Sequence, residues 1–311
     1  MVLREGDDMA EDPRRVAETP EVMRRRLRVA LRKARDKKDL TQRNAAEALD
    51  WSVSKVIRIE QGAVAITPVD LRALLQVYGV TDQGLVEELV GLARESKRPS
   101  WERYRDVYAP ASLGFFGHEA AAKTIKSYEP AFVPGLLQTQ EYAEEIMREL
   151  GVPEEQIDLK VEGRIERQGL LDREPQAHLH FILGEAALSR EVGSRHVMMR
   201  QLDWIRKLGE RPGISLQVLP FSAGAHPHVG GAFTILEFED ENLDDLLYLE
   251  DAAGARTFRE EPEVLSDYYK TFSLLEGRAT SPGDLNTVLE KIEAARFSDA
   301  AEPLTASSTS R

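Results

Sequence analysis

LTQRNAAEALDWSVSKVIRIEQG, residues 40–62, decides how this chain is read. Thr41 is placed to N-cap a first helix whose inward positions are Ala45, Ala46 and Leu49, and the two alanines let a second helix approach closely. Asp50 and Trp51 lie between the helices, where one residue must usually turn left-handed, and Asp tolerates that conformation better than most residues with a side chain. Ser52 caps the second helix. Within it Val56 and Ile59, at i and i+3, face inward, while Ser54, Lys55 and Arg58 share the outer face. Gly62 ends the helix as its left-handed C′ residue. Two short helices so joined have the shape that enters the DNA major groove. Arg can bond two acceptors on a guanine edge, Lys can bind a guanine or a phosphate, and Ser can donate or accept.

LTQ, the paired alanines, SxSK and RIExG together resemble the helix-turn-helix of the Xre and phage-repressor (Cro-like) family. The resemblance implies that Gln42, at the start of the first helix, holds a DNA phosphate. It also implies that the recognition helix corresponds to Ser52 through Glu60, with base contacts from Val53, Ser54 and Arg58. The expected DNA-binding set is therefore Gln42, Ser52, Val53, Ser54, Lys55 and Arg58, and the partner is double-stranded DNA. The family also places Arg35, on the preceding helix, opposite Glu60 as a partly shielded ion pair. One departure stands at the turn, where the family usually has Gly and this chain has Asp50. An unrelated helical hairpin with a solvated charged face is the plainer alternative, but charge runs alone do not produce this ordered pattern.

With 311 residues, 42% of them hydrophobic, the chain has room for two domains, each with its own core. Its charge is unevenly spread. From Arg14 to Gly62 there are 14 Lys and Arg against 7 Asp and Glu, a net +7, so the other residues carry −20 of a formal total of −13. A basic head on an acidic body should meet DNA through the head alone. The absence of cysteine removes disulfides, thiolate metal sites and thiol switches. The N-terminus lacks the apolar core of a signal peptide, and no run approaches the roughly 18 apolar residues of a membrane span, so a cytoplasmic protein without a membrane partner is expected.

Along the chain, residues 1–20 read as a flexible N-terminus and residues 21–95 as the DNA-binding domain. Its first helix runs from about Glu21 to Arg35 on a stripe of Leu27, Ala30, Leu31 and Ala34. Thr67, Pro68 and Asp70 start a fourth helix with Leu71, Leu74, Leu75 and Tyr78 buried, and a fifth from about Asp82 to Glu95 completes an all-α, five-helix head. Residues 96–117 have no clean period and read as a linker. Residues 118–296 form an α/β domain: helices at His118–Tyr128, Thr139–Glu149 and Glu154–Leu171, a loop at Phe132–Gln138, then strands at His178–Leu183, Ile214–Leu219, Ala232–Phe238 and Leu246–Glu250. Helices at Glu185–Leu188 and Arg195–Leu208 intervene, and two more follow near Glu263–Leu275 and Pro282–Arg296, which predicts a small mixed sheet. Residues 297–311 are too poor in apolar side chains to fold and read as a disordered tail.

This second region is similar to the effector-like domain of actinobacterial regulators, including WhiJ-like and antitoxin-like members. YEPAFVPGLLQTQEYA (128–143), GRIERQ (163–168), EAALSREVG (185–193), QL at Gln201 and Leu202, LQVLPFSAGAHP (216–227) and FTILEF (233–238) carry the likeness. The resemblance implies a small protein partner, often encoded nearby, with a small-molecule effector as the second choice.

Catalytic and metal signatures fail. His178 and His180 alternate on a strand and His226 and His228 frame a proline, but hydrogen-bonded or solvent-facing histidines explain both pairs. HEAAA at His118 has Ala122 where a zinc protease needs its second ligand. No nucleophile elbow, phosphate loop or dinucleotide fingerprint is present, so neither an enzyme, a metal nor a cofactor is expected. Pro134 and Gly135 read as a turn into a helix, with a groove-lining role as the alternative, and Trp51 as elbow packing in preference to a DNA contact. The expected function is sequence-specific transcriptional regulation by a homodimer whose body receives a signal. An antitoxin-like interaction module that regulates itself is the alternative.

Overall fold

The computed structural model describes residues 19–97, 100–174, 176–228, 231–240, 243–250 and 256–297. The chain divides into two compact units, Met1–Ser100 and Trp101–Arg311. Most of the expected flexible N-terminus and of the expected tail lies outside the described residues. Within them, Thr19 and Pro20 begin the first helix and Phe297 is buried.

The first unit is all-α. Helices α1 (Pro20–Lys37), α2 (Gln42–Ala48), α3 (Val53–Glu60), α4 (Pro68–Val77) and α5 (Gln83–Glu95) follow one another, and side-chain caps open each of them: Thr19, Thr41, Ser52, Thr67 and Asp82 each accept a backbone N–H of the first turn. Pro at the first position of α1 and α4 sits where its missing N–H costs nothing. The apolar stripes meet in one core that contains Leu27, Leu31, Ala45, Ala46, Val56, Ile59, Leu71, Leu74 and Leu89.

The second unit is α/β. Helix α6 (Pro110–Ala121) leads into β1 (Thr124–Glu129); α7 (Gln140–Glu149) and α8 (Glu154–Arg167) then cross to β2 (His178–Gly184). A short α9 (Glu185–Ser189) and α10 (Arg195–Gly209) cross to β3 (Ile214–Leu219), and β4 (Phe233–Glu237), β5 (Leu246–Glu250) and β6 (Arg256–Arg259) follow before α11 (Pro262–Glu276) and α12 (Leu285–Arg296). Among the described residues the sheet has six strands in the order β3-β2-β1-β4-β5-β6. β1, β2 and β3 are parallel, whereas β4, β5 and β6 are antiparallel to their neighbours, so the sheet is mixed. The alternation of strand side chains sorts the core into two layers. Ile125, Leu179, Phe181, Leu216 and Leu236 join Phe116, Tyr142, Leu202 and Leu289 from helices on one face. Tyr128, Ile182, Phe233, Ile235 and Leu247 join Leu265, Phe272 and Leu275 of α11 on the other.

The structure corrects several sequence expectations. The helix expected over His118–Tyr128 ends at Ala121, and Thr124–Glu129 is the strand β1 instead. An Ala- and Lys-containing stretch has good helix propensity, but backbone pairing on both sides, with β2 and β4, overrides it. The expected linker 96–117 carries a 3₁₀ turn (Glu102–Tyr104) and most of α6, and Trp101, Tyr104, Tyr108, Phe115 and Phe116 are buried. Their ring contacts, with centroids 5.1 to 6.5 Å apart, are aperiodic along the chain, which is why they left no helical or strand signature. The edge strand β6 was not expected, because four residues flanked by charge give no alternation to read. The expected helix Glu154–Leu171 ends at Arg167, and a 3₁₀ turn covers Gln168–Asp172.

Candidate nucleic-acid interface

The N-terminal unit builds its candidate interface from local rules. Thr41 Oγ1 accepts Asn44 N at 3.1 Å while Asn44 Oδ1 accepts Thr41 N at 3.0 Å, a capping box with Asn in the place usually taken by Glu or Gln. Asp50 takes the left-handed conformation, φ 53°, and the next amide, Trp51 N, donates to Ala46 O at 2.9 Å. Ser52 Oγ then accepts Lys55 N at 3.2 Å and opens α3. Ala45, Ala46 and Val56 have no exposed surface, so α2 and α3 approach closely and the other side of α3 faces outward. Gly62, φ 72°, ends it.

Glu60 is the buried hub of this arrangement, 1% exposed. Its carboxylate accepts Arg35 Nε at 2.9 and 3.1 Å, Gln42 Nε2 at 2.9 Å and the Tyr78 hydroxyl at 2.5 Å. Four elements are thereby tied at one point: α1, the start of α2, the end of α3 and the end of α4. Burial first, then the bond to Glu60, pushes the Tyr78 phenol far above its ordinary pKa, so it stays protonated and donates. The structure therefore brings Arg35 and Glu60 together as the resemblance implies. It adds Tyr78, which sequence reasoning had placed only on the apolar face of α4.

The candidate DNA-binding side chains divide into free and engaged. Ser54 and Arg58 are exposed, and Arg58 has no ion-pair partner among the described residues. Val53 is half-buried and packs against the head core, so it offers only part of its surface. Ser52 Oγ accepts Lys55 N as the cap of α3, which leaves its O–H to donate. Gln42 gives one amide N–H to Glu60, which leaves the second for a phosphate. Lys55 is the clearest departure: its Nζ is 3.1 Å from Asp70 Oδ2 and 3.5 Å from the centroid of the Trp51 ring. A lysine held between a carboxylate and an indole does not present a free cation on the outer face. Trp51 is half-buried against the core.

In the C-terminal unit, the sequence segments singled out separately prove to be one network. Gln138 Nε2 donates to Val133 O (2.7 Å), Arg164 to Gln138 Oε1 (2.6 Å), Gln168 Nε2 to Gly135 O and Gln138 O (2.9 and 2.7 Å), and Gln201 Nε2 to Leu137 O (2.7 Å). These bonds satisfy the polar backbone of a short 3₁₀ turn, Gly135–Leu137, while Leu136 and Leu137 fill the core. Pro134 and Gly135 thus serve as a turn, and a Cβ at Gly135 would lie 2.9 Å from Arg167 Nη2. The histidines are dispersed: His180 Nε2 is 2.5 Å from Gln217 Oε1, His226 Nε2 is 3.3 Å from the Tyr128 hydroxyl, and His178 is exposed. Among the described residues no group of three or more His, Asp or Glu is arranged to hold a metal ion, and no helix is long and apolar enough to cross a membrane.

A closely packed, capped helix pair with an exposed outer face defines the class of helix-turn-helix DNA-binding regulators. The family profile described as a helix-turn-helix domain matches residues 26–89. A second profile, described as a domain of unknown function (DUF5753), matches residues 114–291, more than half of the chain, and the chain belongs to that family. Neither match distinguishes the WhiJ-like or antitoxin-like members that the sequence resembles. No curated protein and no solved structure matches the chain.

Proposed function

We propose that the chain is a sequence-specific transcriptional regulator of the Xre type that binds double-stranded DNA as a homodimer. In this reading its C-terminal domain receives a signal from a small protein or a small ligand. The observation that carries the reading is the outward face of α3, where Ser54 and Arg58 stand exposed on a helix whose other side is locked into the head. One such helix reads only a few base pairs, and two heads related by a two-fold axis, about one DNA turn apart, supply the remaining specificity. The body supports the signal-receiving role by its size and by the absence of a recognisable catalytic motif in its sequence; the reading assigns it no enzymatic activity. Footprinting on the DNA upstream of the chain's own coding sequence tests the proposal.

Arg58→Ala is expected to weaken binding to the footprinted site by about 1 to 3 kcal/mol and to relax selectivity at one base position, since a bidentate base contact carries that discrimination. Gln42→Ala should weaken binding evenly across sequences, as loss of a phosphate contact does. Loss of the same selectivity from both changes would contradict these roles.

Lys55 gives a separate expectation. The Lys55–Asp70 pair is about a third exposed, so Asp70→Asn should alter stability by less than about 1 kcal/mol. If DNA binding draws Lys55 to a phosphate, the same change strengthens binding and makes the salt dependence steeper by about one unit of slope. An unchanged slope would mean that Lys55 stays on Trp51 in the complex.

A further inference from the structure

From the geometry of a cleft in the C-terminal domain, we infer a binding site for a small organic anion that carries an aromatic ring. The cleft, about 540 Å³, lies beside the carboxyl ends of β2 and β3. These two strands are parallel, so both end at the same edge of the sheet. A volume of several hundred Å³ is that of a small-molecule pocket.

Residues 185, 186 and 189 of α9, with Arg190 just past its end in extended conformation, line one wall. Residues 291, 292, 295 and 296 line the other at the i, i+1, i+4, i+5 spacing of one face of α12. Ala186 and Ala295 are short and leave the volume open, whereas Arg190, Lys291 and Arg296 place cations around it. Arg296 Nε is tethered to Ser189 O at 3.3 Å, which orients the guanidinium and leaves its other N–H groups to donate. Two carboxylates also line the cleft. Glu185 is engaged, with Oε2 accepting Phe221 N at 2.8 Å, and Glu191 is exposed. Three cations against two carboxylates leave the cleft net positive within a chain of net −13.

Phe221 supplies the second half of the recognition. Separated from the end of β3 by Pro220, it lines the cleft and is 66% exposed, among the largest exposures of an apolar side chain described here. An aromatic ring laid on Phe221, with its carboxylate or sulfonate directed to Lys291 and the two arginines, would use both features together. The inference gives chemical content to the proposed signal-receiving role and rests on that role only for its purpose.

The test is a fluorescence titration of the full chain with anilinonaphthalene sulfonate, an aryl anion, and in parallel with phenylnaphthylamine, which has comparable rings and no charge. Saturable one-site binding of the anion is expected. Lys291→Glu should weaken it at least tenfold and Lys291→Met severalfold, while the neutral probe is unaffected by either. Phe221→Ser should weaken both probes. Both positions are exposed surface, and circular dichroism of each of the three variants confirms folding. Anion binding that ignores Lys291→Glu, or a loss shared equally by the neutral probe, would overturn the assignment. Because no DNA is present, such a failure leaves the DNA-binding reading untouched.

Discussion

Arg35→Ala destabilises the N-terminal domain by about 3 to 5 kcal/mol, the expected cost of leaving a buried carboxylate without its cation. Glu60 is 1% exposed and Arg35 only 15%, so water cannot replace the lost guanidinium at the hub. Gln42 and Tyr78 remain as donors, but neither carries charge, and their bonds cannot offset the desolvation of a carboxylate. Glu60→Ala is expected to be costly as well, because it takes the acceptor from the buried Tyr78 hydroxyl and from Gln42, while Arg35 keeps Asp36 Oδ1 at 2.7 Å and Leu40 O at 2.9 Å. The double variant should lose much less than the sum of the two. Hydrogen exchange of the α3 amides in the full chain reads this domain separately from the other. Additive losses, or single losses below about 1 kcal/mol, would remove the hub from the account of stability. Since the hub holds the start of α2 and the end of α3 together, its loss should also weaken DNA binding before the domain unfolds.

The second large effect is a pH dependence in the C-terminal domain. Glu119 is buried, with Oε2 2.8 Å from Arg167 Nε. Burial pushes its carboxyl up to about 7, and the Arg167 guanidinium pulls in the opposite direction without cancelling it. With the folded value above the unfolded one, the contribution to stability is fully present below about pH 4.5 and is lost as pH rises through about 7. In that window the unfolded chain releases a proton that the folded chain keeps. The shift corresponds to about 3 kcal/mol, at 1.36 kcal/mol per pKa unit. Glu119→Gln removes the titration. Urea unfolding at pH 5 and pH 8 should therefore show the variant gaining stability relative to the natural chain by up to about 3 kcal/mol at the higher pH. An equal difference at both values would show that Glu119 is ionised throughout, held by Arg167.

Much of the N-terminal domain is legible in the sequence, because its signals are local. Thr41, Ser52, Thr67 and Asp82 cap the turns they begin, Asp50 and Gly62 take left-handed backbone, and the apolar stripes repeat at helical spacing. The resemblance extended this to Arg35 and Glu60, 25 residues apart. It did not reach Tyr78 or the capture of Lys55 by Asp70, since neither contact lies within one helix turn and neither residue type demands the partner it found.

In the C-terminal domain the sequence by itself determined the strands whose alternation is strong, β2 to β5, and the helices between them. Their signals, period and end chemistry, are properties of a few adjacent residues. Only the tertiary structure decided that Thr124–Glu129 is a central strand, that Trp101, Tyr104 and Tyr108 are core and not linker, and that Gln138, Arg164, Gln168 and Gln201 form one network around the turn at Gly135. In each case the deciding energy comes from partners tens of residues away. Pairing along both edges outweighs a local helix preference, aperiodic rings are buried by shape, and buried backbone must find donors wherever the fold supplies them.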